Sequence, residues 1–270
     1  MKSRKIIYTI VALIFAVGFY IYDNFIVDSN LQKNEVSENS TYKNSSANLQ
    51  PTSTTGVIVT HNFYSLSYNE QYEQAEWVAY ELKKEQITNK NFKRPYFIND
   101  SKVKTKSAYY KNYKNSGYDR GHLCPAGDRK FSKEAFDETF LTSNISPQKH
   151  DFNSGIWNRL EQKTRYWAQK HDRLYVVTGG VLKDNLKTIG SDKVAVPNYF
   201  YKIILDNTEP EIKAIAFLMP HKDSEKGLYK FVVSIDEIEE LTGIDFFPAL
   251  PDELENNLEK SKSYAKWSLR

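Results

Sequence analysis

The chain has 270 residues, 40% of them hydrophobic and 14% aromatic, which supports one packed domain with appendages. Its 37 Lys/Arg against 34 Asp/Glu leave a net charge of only +3, so the whole-chain balance does not announce nucleic-acid binding. A single cysteine, Cys124, excludes an intramolecular disulfide.

In chain order, Lys2, Arg4 and Lys5 precede residues 6–22, a run of 17 without a charge. Such a run sits at the lower edge of what spans a bilayer, and basic residues ahead of it set the N-terminus in the cytoplasm. Residues 1–27 are therefore expected to be a signal anchor, with the rest of the chain periplasmic or extracellular. Small Ala16 and Gly18 offer a second outcome, a signal peptide cut after Gly18 and a secreted protein. Residues 28–55 are rich in Ser, Asn, Thr, Gln and Glu; they bury too little apolar surface to offset chain entropy, which predicts a disordered linker.

The folded domain is expected over 56–270. Residues 56–60 and 63–68 read as strands, rich in β-branched and aromatic side chains. Residues 73–84 read as a helix from the spacing of Trp77, Val78 and Leu82. A loop begins at Phe92, and residues 118–122 read as a strand end that lets His122 face an open cleft. Residues 132–140 form a helix with Ser132 at its start, and 143–148 a turn limited by Pro147. Residues 153–170 carry the clearest helical stripe, Ile156, Trp157, Leu160 and Trp167. At 100° per residue that helix sets Asn153, Glu161 and Arg165 on one side. Strands follow at 173–178, 199–205 and 212–218; Ser234 and Glu237 form a capping box for a helix that Gly243 ends. The tail, 252–270, is helical in composition.

One stretch gathers the chemistry. Asp119-Arg120-Gly121-His122 is followed by Asn144, Asn153 and Glu161. An imidazole, a guanidinium, two amides and a carboxylate are the set that phosphodiester cleavage with one hard metal ion needs: a base for water, an oxygen ligand, and cations over the phosphate. Taken singly, each has an ordinary reading. A His beside an Arg is commonly a satisfied polar residue, and Glu161 with Arg165 is an ordinary helical pair. Residues 83–130 hold 13 Lys/Arg against 4 Asp/Glu, a field that suits either polyanion steering or a solvated basic face. Cys124 lies two residues from His122 but reads as a small buried side chain, not a nucleophile.

The order and spacing of these residues resemble the DNA/RNA non-specific endonucleases, the family of Serratia-type nuclease and endonuclease G. The likeness runs on through Ser143–Gln148, Trp157, Leu160, Val177-Thr178-Gly179-Gly180, Val196-Pro197 and Ser234–Glu239, roughly residues 57–250. It implies an α+β fold, a mixed β-sheet flanked by helices, with a ββα-metal (His-Me finger) site. It further implies His122 as general base and Asn153 as the protein ligand to Mg²⁺, or Mn²⁺. Glu161 then holds water of the metal's hydration, and Arg120, Arg94 and Arg165 contact phosphate. Asn144 orients the cleft, and Asp119 supports the site from behind. DNA, RNA or both are the implied substrates, with weak sequence preference because phosphate contacts carry no base information. Two other classes fit the residues: an inactive, anchored nucleic-acid binder, and a surface phosphodiesterase acting on a non-nucleic substrate. The residues set no oligomeric state.

Overall fold

Strand-forming runs recur between residues 58 and 220, and the computed structural model, which describes residues 49–208 and 210–269, joins them into one seven-stranded sheet. Its strands are β1 (Ile58–Thr60), β2 (Ser65–Asn69), β3 (Gln74–Lys83), β6 (Arg173–Gly180), β9 (Tyr199–Asp206), β10 (Lys213–Pro220) and β11 (Val232–Val233), side by side in that order. Two small ribbons stand apart, β4 (Asp119–His122) with β5 (Ile145–Gln148), and β7 (Thr188–Ile189) with β8 (Val194–Ala195). The helices are α1 (Lys133–Glu138), α2 (Asn158–His171), α3 (Ile235–Thr242) and α4 (Asp252–Glu259).

The α+β class with flanking helices is as expected. The sheet, however, is antiparallel at every neighbouring pair rather than mixed. Short connections explain this, since β1–β2–β3 and β9–β10 are joined by turns that only antiparallel neighbours allow. Between β3 and β6 the chain leaves the sheet for residues 84–172, and that excursion carries the candidate site.

Both faces of the sheet are covered. On one, Val78, Leu82, Val176, Phe200, Ile204 and Phe217 pack with Trp157, Leu160 and Trp167 of the helical segment. On the other, Trp77, Ala79, Val177, Tyr201 and Ile203 pack with Ile235 and Ile238 of α3 and Leu258 of α4. Each fully buried aliphatic or aromatic side chain contributes about 1.5–3 kcal/mol.

This double burial overturns the helix expected at 73–84, which is strand β3. Adjacent Trp77 and Val78 are both fully buried because they point into different cores, so an alternating, two-sided pattern looked helical. Residues 49–55, expected in the linker, pack on the domain. Leu49 is buried, the N–H of Thr52 donates to the Asp245 carbonyl at 2.8 Å, and Trp77 Nε1 donates to the Thr52 carbonyl at 2.8 Å. Residues 143–148 are not simply a turn: a short 3-10 turn, Thr142–Asn144, leads into β5. The tail is helical only over Asp252–Glu259, after which it delivers Trp267 edge-on to Trp167, 4.9 Å between ring centroids. The capping box at Ser234 and the left-handed Gly243 (φ 72°) bound α3 as expected. The N-terminal anchor and most of the linker lie outside the described residues. Among the described residues no helix is long and apolar enough to cross a membrane.

Candidate active site

Strands β4 and β5 pair with Asp119 opposite Gln148 and His122 opposite Ile145, and the chain then enters the helical segment that ends in α2. Gly121 is required here: a Cβ would lie 2.2 Å from Gln148 Cδ. Ser146 Oγ donates to Gln74 Oε1 at 2.7 Å and so ties the ribbon to β3. Two strands and a helix thus surround a cleft of about 360 Å³, lined by Arg94, His122, Lys130, Asn153, Glu161 and Arg165 among others.

His122 closes β4. Its ring lies edge-on to Phe140 (centroids 5.0 Å apart) and tilted against Phe97 (5.6 Å). Its Nε2 is buried and has no hydrogen-bond partner. Burial first, then the positive charge of Arg94, lowers its pKa to about 3, so the imidazole is neutral at physiological pH. Arg94 comes from the exposed loop after Phe92, with its guanidinium carbon 5.5 Å from the Phe140 ring centre. It makes no ion pair among the described residues.

The helix expected over 153–170 is present but not regular. A helical turn, His150–Phe152, passes into a π turn, Asn153–Trp157, before α2 begins. The break sits at Gly155 (φ −93°, ψ −111°), where a Cβ would come within 2.1 Å of Asp223 Oδ1. That same oxygen accepts the Ile156 N–H at 2.9 Å, so a side chain from beyond β10 caps the break. π turns of this kind are frequent at functional sites. This one begins at Asn153, whose Nδ2 donates to Asp119 Oδ2 at 3.0 Å; the same carboxylate oxygen lies 2.9 Å from His150 Nδ1. A carboxylate only accepts, so it fixes the amide with Oδ1 turned away from it. Asp119 therefore orients the Asn153 amide.

Glu161 and Arg165, half-buried in the cleft wall, belong to an ionic cluster that continues inward to buried Asp128 and Lys202. Glu161 has its pKa raised to about 7, by burial above all, against the attraction of Lys202 and Arg165. Arg165 Nη1 donates to Asp128 Oδ1 at 2.7 Å, and Tyr80 Oη donates to Asp128 Oδ2 at 2.8 Å. Lys202, fully buried on β9, donates from Nζ to Thr178 Oγ1 at 2.6 Å and sits 5.0 Å from the Trp157 ring centre.

The chain matches the profile of the DNA/RNA non-specific endonucleases over residues 25–253. It is 38% identical to the mitochondrial nuclease EXOG of Danio rerio over 202 residues, covering 68% of this chain and 59% of that protein. It is 32% identical to human mitochondrial endonuclease G over 203 residues, 68% of this chain and 67% of that one. A nuclease of Nostoc sp. is 31% identical over 218 residues, 75% of this chain and 77% of that protein. The chain belongs to the DNA/RNA non-specific endonuclease family. Among solved structures, that of an EndoG/EndoGI complex superposes with a TM-score of 0.66 at 30% identity, covering 72% of this chain and 86% of that one. The chain spans only 56–59% of the length of the EXOG relatives from Danio rerio and Mus musculus.

Against the residues read from the sequence of this family member, the cleft brings together His122, Asn153, Glu161, Arg94 and Arg165. Arg165 reaches it already paired to Asp128, so its charge is partly committed. Arg120 and Asn144 are not among the cleft's lining residues. Arg120 stacks against Phe97 (5.3 Å) and donates to the Tyr110 carbonyl at 3.3 Å, behind the ring that supports His122. Asn144 is wholly buried, and its Oδ1 accepts the Cys124 N–H at 2.8 Å. Its Nδ2 donates to the carbonyls of Cys124 (3.0 Å) and Thr139 (2.9 Å). A side chain so fully used cannot touch substrate; Asn144 holds the backbone just after His122. Cys124 is buried and its thiol is pushed up to about 12, which removes it as a nucleophile. Sequence reasoning missed Asp128, Tyr80, Asp223 and Lys202. Only Lys202 left a signal, as a charge inside the otherwise apolar run of β9.

Proposed function

We propose that this chain is a metal-dependent endonuclease that hydrolyses phosphodiester bonds of DNA, RNA or both without reading sequence. The observation that carries this is the cleft in which the neutral imidazole of His122 shares a wall with Asn153 and with Arg94, which has no ion pair among the described residues. A neutral imidazole with no internal partner is free to take a proton from water.

The donors also fit a hard cation. Asn153 offers an amide oxygen that Asp119 turns away from itself, and Glu161 is a partly buried carboxylate with no direct ion pair. Asn153 would hold Mg²⁺ or Mn²⁺, with Glu161 hydrogen-bonded to water around it. When bound, the ion supplies charge stabilisation to the phosphate. The chain's own residues supply the rest. His122 accepts the proton on its imidazole, Arg94 covers phosphate oxygens with planar donors, and Arg165, steadied by Asp128, adds positive field. Phosphate contacts alone carry no sequence information, in keeping with weak preference.

The test is cleavage of supercoiled plasmid and of structured RNA by the full-length chain, with and without EDTA. Metal-dependent cleavage of either polymer is the expected result; intact polymers under all conditions would refute the reading. The charge pattern of residues 1–27 further supports a domain held outside the cytoplasmic membrane.

A further inference from the structure

The sheet face opposite the cleft is closed by α3 and α4. Between residues 236 and 259 the chain carries nine Asp/Glu and no Lys or Arg. Apolar contacts explain how these helices dock, through Ile235, Ile238 and Leu258. They do not explain the carboxylates that docking brings together. One oxygen each from Asp236, Glu239 and Glu259 lie within 4.8 Å of one another, and the same holds for Asp245, Glu255 and Glu259.

Glu259 is common to both groups. It is only 7% exposed, yet its Oε1 has no hydrogen-bond donor, and neither has the buried Oε1 of Glu255. Glu239, Asp245, Glu255 and Glu259 line a cavity of about 300 Å³. The Phe246 N–H reaches Glu239 Oε1 at 2.9 Å. None of the five carboxylates makes an ion pair among the described residues, and nearby Lys262 is taken by Glu237 at 2.7 Å. A buried carboxylate without a donor is costly unless a proton or a cation reaches it.

We propose that Glu259, with Glu239, Asp245 and Glu255, forms a calcium-binding site that ties α4 to α3, separate from the catalytic cleft. The donor set is all oxygen, which selects a hard cation. Calcium accepts irregular ligand sets completed by water, whereas magnesium demands a near-ideal octahedron. The site would brace α4, the helix from which the chain continues to Trp267 and so to the underside of α2.

Thermal melting of the full-length chain in mild detergent, stripped with EDTA and then titrated with CaCl₂ or MgCl₂, tests the proposal. Calcium at roughly fifty times its Kd should raise Tm by about 5 °C or more. Asn153→Ala should keep that rise. Glu259→Gln should lose it while still cutting plasmid with magnesium. Exposed Asp245→Asn, which removes no buried group, should weaken it and so serves if Glu259→Gln folds poorly. A wild-type chain indifferent to calcium, or a rise that survives in both acidic-site variants, would overturn the proposal. So would a chain that is stabilised by acid but not by calcium, because Glu239 and Glu259 would then share a proton instead.

Discussion

Glu161→Gln should stabilise the protein while impairing it, with a pH dependence that identifies the cause. Glu161 titrates at about 7 in the folded chain because burial outweighs the pull of Lys202 and Arg165. In the unfolded chain it titrates near the ordinary carboxylate value of about 4.3. A raised folded-state pKa means that ionisation favours unfolding. Wild-type stability is thus undiminished below about pH 4, falls as pH rises from there to about 7, and stays reduced above it. The gap of about 2.7 pH units corresponds to roughly 3–4 kcal/mol, net of both cations. Gln keeps the shape and removes the ionisation. Thermal melts in EDTA should therefore place the variant about 6–12 °C above wild type at pH 8 and close to it at pH 4.5. Plasmid nicking with magnesium should fall by about 10–100-fold, the usual loss when a group supporting a metal's surroundings is removed. A Tm difference that does not change between pH 4.5 and pH 8, or a variant less stable at both, would refute the reasoning.

His122→Ala should lower turnover by about 10²–10⁴-fold with nucleic-acid binding and Tm little changed; near-wild-type nicking would remove it as the base. Asn153→Ala should be similarly inactive and partly rescued by raised magnesium, and if Glu161→Gln proves the more damaging of the two, their roles are reversed. Asp223→Ala takes the acceptor from the Ile156 N–H at 2.9 Å, so a Tm drop corresponding to about 1–2 kcal/mol is expected, with loss of activity as Asn153 shifts. Full activity in that variant would show that the π turn holds itself.

The sequence was most legible where the site is local. His122, Asn153 and Glu161 lie on one strand and one helical segment, and helical periodicity alone set Asn153 near Glu161 and Arg165 even though a π turn intervenes. It was least legible where neighbours come from far along the chain. Trp77, Val78 and Leu82 fit a helical stripe, and only the two-sided core revealed a strand. Asn144 carried the chemistry of a cleft amide, but whether its oxygen meets substrate or the Cys124 N–H depends on how a 3-10 turn returns beneath β4. Asp128 and Tyr80 are 48 residues apart in sequence and meet at 2.8 Å, a contact that local pattern cannot announce. Arg120 stood beside His122 in the motif, yet its contacts with Phe97 and Tyr110 set it behind the ring.

The distribution of unsatisfied atoms argues that the cleft region is tuned for something other than stability. His122 Nε2, Arg120 Nε, both amide atoms of Gln148 and Nε1 of Trp157 are buried without partners, and all lie on β4, β5 or the π turn. Each such atom costs about 1–3 kcal/mol. Add the non-helical Gly155 and the half-buried Glu161, and this small part of the chain holds a disproportionate share of the unfavourable terms. The sheet below can bear it. The row Val78, Thr178, Lys202 and Phe217 crosses four adjacent strands in register, and Thr178 gives the buried ammonium its acceptor. Only His122 among these residues lines the cleft, so the other orphaned atoms surround the site without facing it, and the rigid sheet below keeps the cleft preorganised despite them. Glu161→Gln removes one unfavourable term at the cleft itself, and so should raise Tm and lower turnover together.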